Sequence, residues 1–128
     1  MEYLLDTNVI INFLEASLPE NAMSEMKIIV DNRPQVSVIT KMETLGFNFL
    51  SAFEQESMET FINYSEVKNI NNEIVNKTIE LRKQKKISLP DAIIAATAIV
   101  NNLVLITRNV KDFSHIEEIK ILNPFSDF

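Results

Sequence analysis

The chain has 128 residues, no cysteine, 46% hydrophobic and 23% charged residues, and a formal net charge of −6. That length predicts one compact domain over 1–128 with a core that needs no staples, and the missing cysteine excludes disulfides and thiolate metal sites. The acidic balance argues against a passive nucleic-acid binder, which carries a basic footprint, but not against an enzyme whose acidic pocket is inverted in sign by divalent cations.

No signal peptide is expected, because residues 1–6 lack a basic stretch and the apolar run is broken at Asp6 and Asn8. The longest apolar run, Ala92–Val100, is too short to span a bilayer, so a cytoplasmic protein with no membrane partner is expected. In chain order, Glu2–Asp6 reads as a short buried strand, and Asn8–Glu15 as a helix with Thr7 as its cap. A second helix runs from Pro19 to about Asn32. Its apolar residues, with those of the first helix, look too many for one core face, which predicts a partner surface between Asn8 and Val30. Gln35–Ile39 is β-branched and predicts a strand. Thr40-Lys41-Met42-Glu43 spells a capping box, followed by Met42, Leu45, Phe49 and Phe53 at helical spacing.

Further helices are predicted over Ser57–Tyr64 and Glu73–Lys86, with a weak strand, Glu66–Ile70, between them. Ile74, Val75, Thr78, Ile79 and the Arg82 stem predict one buried stripe on the second of these helices. Ser88 then caps a helix with Pro90 and Asp91 in its first turn, apolar almost all round and therefore central. Leu103–Ile106 reads as a strand buried on both faces, Thr107–Asp112 as a loop and Ile119–Leu122 as a last strand. Strands alternating with helices predict an α/β fold with a mainly parallel central sheet flanked by helices. With one glycine in the chain, asparagines are expected to serve many turns.

Four acids fall at element ends. Asp6 ends the first predicted strand, Glu43 and Asp112 follow later ones, and Asp91 opens the buried helix. Functional groups in open α/β sheets gather at the carboxyl ends of strands. Each acid has a plain alternative role: Asp6 as a cap, Glu43 in the capping box, Asp91 at a helix dipole, Asp112 at a turn. Gathered at one edge they would repel one another unless cations intervened, and an oxygen-only set of this kind suits Mg2+ or Mn2+.

Four segments, Asp6–Ile10 (DTNVI), Ser37–Glu43 (SVITKME), Leu89–Ala98 (LPDAIIAATA) and Leu105–Phe113 (LITRNVKDF), stand in an order that resembles the PIN-domain family, most of all its VapC-like toxins. The resemblance implies a PIN-like three-layer sandwich and an Mg2+- or Mn2+-dependent endoribonuclease that hydrolyses RNA phosphodiester bonds. It also implies a cognate antitoxin and a homodimer. Asp6, Glu43 and Asp91 match the three core acids. At the fourth position relatives often carry an acid where Asn109 stands, and the nearest acid here is Asp112. Thr7, Asn8 and Thr107 match polar positions around the site, with Asn109 beside them.

Arg108 and Lys111 flank the last motif and are the expected RNA contacts. Arg82, Lys83, Lys85 and Lys86 read as a solvated helix end favoured by the dipole. Phe47, Phe49, Phe53, Phe61 and Tyr64 are expected in core or interface packing, and His115 in a surface loop with no catalytic role. Two other classes share an acidic pocket: a receiver-like regulatory module, for which an acidic pair near the first strand and a late lysine are not evident, and a catalytically inert PIN-like binding module.

Overall fold

The computed structural model describes residues 2–49 and 51–128. Its elements are β1 (Tyr3–Leu5), α1 (Thr7–Leu14), α2 (Glu20–Asp31), β2 (Gln35–Ser37), α3 (Val38–Leu45), α4 (Ala52–Tyr64), β3 (Glu66–Lys68), α5 (Asn72–Gln84), α6 (Leu89–Val100), β4 (Val104–Ile106), α7 (Val110–Phe113) and β5 (Lys120–Leu122). The five strands form one parallel sheet in the order β3-β2-β1-β4-β5. Among the described residues, no helix is long and apolar enough to cross a membrane.

The pleat sorts side chains onto two faces, because neighbouring strand residues point in opposite directions. Leu4 and Leu105 pack with Ile74 and Leu81 of α5, Ile94 and Ala95 of α6, and Phe113 of α7. Leu5, Val36 and Ile106 pack with Val9 and Ile10 of α1, Met26 of α2, and Met58 and Ile62 of α4. Helices thus cover both faces of the sheet, the three-layer arrangement expected of a parallel sheet. α6 owes its central place to small side chains: Ala92, Ala95, Ala96 and Ala98 are all fully buried.

Several boundaries differ from the sequence expectation, each for a local reason. Ser37, not Thr40, caps α3 and accepts from the Thr40 N–H at 3.1 Å, so the strand stops two residues early and Val38 and Ile39 are already helical. The capping box at Thr40 is therefore not made, and the exposed Glu43 side chain accepts from Thr7 instead. Asp6, not Thr7, caps α1. Asp112 lies in the short helix α7 rather than in a loop. On α5 the buried stripe is Ile74, Thr78 and Leu81, while Val75 and Ile79 are exposed. Among the described non-glycine residues with left-handed backbone, only Asn102 is an asparagine; Ala16 and Arg33 are the others. Gly46 is needed for a different reason: a Cβ there would come within 2.7 Å of the Met42 carbonyl oxygen.

The expected partner surface between Asn8 and Val30 is mostly core. Val9, Ile10, Leu18 and Met26 are buried, Ile11, Phe13, Met23 and Ile29 are partly buried against them, and Leu14 and Ile28 remain exposed. Met26→Asp is accordingly expected to cost about 4 kcal/mol or more by burying an unpaired charge, whereas Ile28→Asp should stay within about 0.5 kcal/mol. Urea unfolding of the two variants checks this, and equal midpoints would overturn the assignment of Met26 to the core.

Candidate active site

The strand order reverses at β1. The chain leaves β1 toward β2 and β3, then crosses back to lay β4 on the other side of β1. Connections diverge above such a point and leave a crevice at the carboxyl ends of the strands. Asp6 follows β1 directly and Thr107 follows β4 directly, so both stand at this crevice. The Asp6 N–H completes the ladder by donating to the Ile106 carbonyl at 3.0 Å.

The Asp6 side chain is almost fully enclosed, with 6% of its surface exposed. Its Oδ1 accepts from the Thr7 N–H at 2.8 Å, and its Oδ2 from the Thr107 hydroxyl at 2.7 Å. The Thr107 oxygen in turn accepts from the Asn109 N–H at 3.0 Å, which fixes the direction of its donation. Burial pushes the Asp6 carboxyl above the ordinary carboxylate value. The hydrogen bonds from Thr107 and Thr7 pull it down, the charges of Asp91 and Glu43 push it up, and the balance is a raised pKa.

Glu43 reaches the same place from α3. Its Oε1 accepts from the Thr7 hydroxyl at 2.8 Å, and the Thr7 oxygen lies 3.2 Å from that of Thr40. Thr40 is fully buried and touches the Ser37 hydroxyl at 3.3 Å, so a run of hydroxyls connects the end of β2 to the site. Asp91 arrives from α6, where Ser88 caps the helix and accepts from the Asp91 N–H at 3.3 Å. Asp6, Glu43 and Asp91 line one pocket of about 270 Å3 with Thr7, Asn8, Asn109 and the rings of Phe47 and Phe49.

Asp112 does not line this pocket. It lines a larger adjoining cleft of about 680 Å3 with Lys111, Arg82, Lys86 and His115, and Asp91 forms a wall of both. Asn109, rather than Asp112, thus stands on the acidic pocket. Arg108 points elsewhere, its guanidinium carbon 4.1 Å from the centre of the Phe125 ring. His115 is half-buried, not on an open surface loop, and its Nε2 is enclosed without a hydrogen-bond partner. Thr40, Phe47 and Phe49 were absent from the expected site. The Ser37-to-Thr40 spacing, a cap signal in its own right, could have located Thr40; the two rings carry no such signal. Phe61 packs in the core as expected, but Phe47 is 59% and Phe53 79% exposed.

The donor set around Asp6 is all oxygen and carries excess negative charge, which fits a hard dication such as Mg2+ or Mn2+. As the side chains stand, no group of three or more acids or histidines among the described residues is arranged to hold an ion. Glu43 spends one oxygen on Thr7 and is exposed, so it can turn inward with little hindrance.

The PIN domain family matches residues 3–119, and the chain belongs to that family. No curated protein sequence matches it. Solved structures similar to it include a chain of a toxin–antitoxin complex from Klebsiella pneumoniae, 29% identical over 97% of this chain and 98% of that one, with a TM-score of 0.74. VapBC-1 from nontypeable Haemophilus influenzae is 28% identical over the same shares, with a TM-score of 0.77. DNA-bound VapBC from Salmonella typhimurium is 26% identical, again over 97% and 98%, with a TM-score of 0.79. PIN domains are generally nucleases and usually use divalent metals.

An acid whose pKa is raised by folding holds its proton more tightly folded than unfolded. Stability then falls as pH rises from the ordinary carboxylate range through the raised value, and stays lower above it. Asp6→Asn removes that penalty. In EDTA at neutral pH the variant should melt at or above the wild-type temperature, and the difference should vanish as the pH is lowered into the carboxylate range. Thermal unfolding across pH checks this; a variant that melts well below wild type would make Asp6 a structural cap first.

Proposed function

We propose that the chain is an endoribonuclease that hydrolyses RNA phosphodiester bonds with Mg2+ or Mn2+, and that it acts in the cytoplasm as the toxin of a toxin–antitoxin pair. The observation that carries this reading is the meeting of the buried Asp6 with Glu43 and Asp91 in one pocket at the point where the strand order reverses. Capping and helix-dipole roles account for Asp6 and Asp91 singly, but not for three acids lining one pocket. These three are neighbours whose charges act on one another.

Asp6, Glu43 and Asp91 would hold the ion, which supplies charge to a non-bridging phosphoryl oxygen and lowers the pKa of an attacking water. The chain's own residues do the rest. Thr7 and Thr107 lock the Asp6 carboxylate in one orientation. Glu43, exposed and held by Thr7 through one oxygen, is placed to orient a water and take its proton with the other. Asn8 and Asn109 offer amides at the rim for phosphate or sugar oxygens. Asp112, beyond Asp91, supports that carboxylate through water rather than reaching the pocket itself. The products are a 5′-phosphate and a 3′-hydroxyl.

Single-stranded RNA incubated with the chain and Mg2+ should be cut, and EDTA should stop the reaction. Asp6→Asn, Glu43→Gln and Asp91→Asn should each lower kcat/KM by about a hundredfold or more with the fold retained. Cleavage that persists in EDTA would sink the metal-dependent reading, and phosphorylation of an aspartate by a small phosphodonor without cleavage would favour the receiver-like module.

The antitoxin reading is supported by a largely apolar depression that shares Ile11 and Phe49 with the acidic pocket and is otherwise lined by Leu14, Phe53 and Met58, with Glu15, Glu54 and Ser57 among them. A partner segment with apolar side chains seated there can extend a basic residue to Asp6 and its neighbours, competing with metal for the same charge. Val75 and Ile79, exposed one turn apart on α5, are the apolar strip that supports a homodimer. Phe53→Asp should weaken capture of the co-expressed antitoxin by about tenfold or more while far-UV circular dichroism is unchanged. Undiminished co-purification would place the antitoxin elsewhere.

A further inference from the structure

The cleft beside the acidic pocket has a charge balance opposite to that of the chain. The whole sequence carries 12 lysines and arginines against 18 acids. The cleft brings Arg82, Lys86 and Lys111 together against Asp91 and Asp112. Four other cations are already engaged: Lys77 with Glu80 and Glu118, Lys68 with Glu66, Arg33 with the Tyr64 carbonyl, and Arg108 on Phe125; Lys27, Lys41, Lys83, Lys85 and Lys120 do not line this cleft. Among the described residues, Arg82, Lys86 and Lys111 make no ion pair and no side-chain hydrogen bond. Helix-dipole compensation does not explain this placement. Lys83 and Lys85 would serve the end of α5 as well, yet Arg82 and Lys86, four residues apart, are the two that face the cleft.

A polyanion approaching a protein of net charge −6 needs a local run of unpaired cations. Here that run begins at Asp91, a wall of the acidic pocket, and ends at α7, which follows β4 on the same edge of the sheet. We propose that this cleft is the track for the RNA backbone beside the scissile phosphate, with Arg82, Lys86 and Lys111 neutralising its phosphates. The proposal rests on the nuclease reading for which phosphate is scissile, but not for the binding itself. It moves the expected RNA contact from Arg108, which is stacked on Phe125, to the end of α5.

The test compares two triple variants of equal charge, Arg82→Gln/Lys86→Gln/Lys111→Gln and Lys27→Gln/Lys83→Gln/Lys120→Gln. Both are made in an Asp6→Asn background with Mg2+ so that a labelled 12-nucleotide RNA is not cut. Fluorescence anisotropy is followed across salt concentration. Each phosphate contact on a single strand contributes about 0.7 to the slope of log affinity against log salt. The cleft triple should therefore lose about 2 in slope and bind the RNA at least about tenfold more weakly at low salt, and the control triple should lose less than half as much. Equal losses, or none, overturn the proposal, whatever the cleft triple does to capture of a protein partner. KM for RNA, measured with Asp6 intact, is the second readout and should rise in the cleft triple. A chain that binds RNA through the cleft without cutting it leaves the track standing and removes the nuclease reading. A chain that cuts RNA with KM unmoved in the cleft triple removes the track alone, and a chain that neither binds nor cuts removes both.

Discussion

The Thr107 hydroxyl donates to the Asp6 carboxylate across 101 positions of sequence, and the two residues end the two central strands. This bond closes the carboxyl edge of the sheet where its connections part. It also allows a carboxylate to be buried there with both oxygens occupied, since the other oxygen caps α1. An unpaired acid in that position would be costly. With two donors in place the cost is reduced but not removed, and the Asp6 carboxyl keeps a raised pKa.

The remaining geometry follows from that anchor. The pleat places Leu5 and Ile106 under α1 and α4, so the helix that begins at Asp6 is held on one side of the sheet. Leu4 and Leu105 receive α6 on the other. Asp91 is thereby delivered from the opposite layer to the one that supplies Asp6, and Glu43 comes from α3, which bridges toward both. Three elements, the end of β1, α3 and α6, each contribute one acid, and the three acids meet at the switch point.

Much of this was legible in the sequence. Alternating strand and helix periods, the continuous apolar run at the fourth strand and the Ser88-Leu89-Pro90-Asp91 start of α6 led to the parallel sandwich and its central helix. Asp6, Glu43 and Asp91 stood out because they fall at element ends. What was not legible depended on contacts between distant segments. Thr40 carries the local spelling of a cap, but a serine three residues earlier captures its N–H, and its hydroxyl is used by Thr7 instead. The apolar excess of α1 and α2 reads as a surface because periodicity alone does not reveal that α4 covers it. Asp112 and Asn109 are three residues apart, and only the turn into α7 decides which of them stands on the pocket.

The alanines of α6 have a consequence for how this chain can vary. Four fully buried methyl groups let the helix lie close against the sheet, and interiors packed at that density resist added volume. A single extra methylene would lift the helix or tilt it about its fixed strand contacts. Either motion would carry the first turn with it, and Asp91 is in the first turn. The position of one acid is therefore set by side chains too small to have any chemistry of their own. Drift in their size would therefore act on the pocket as well as on the core.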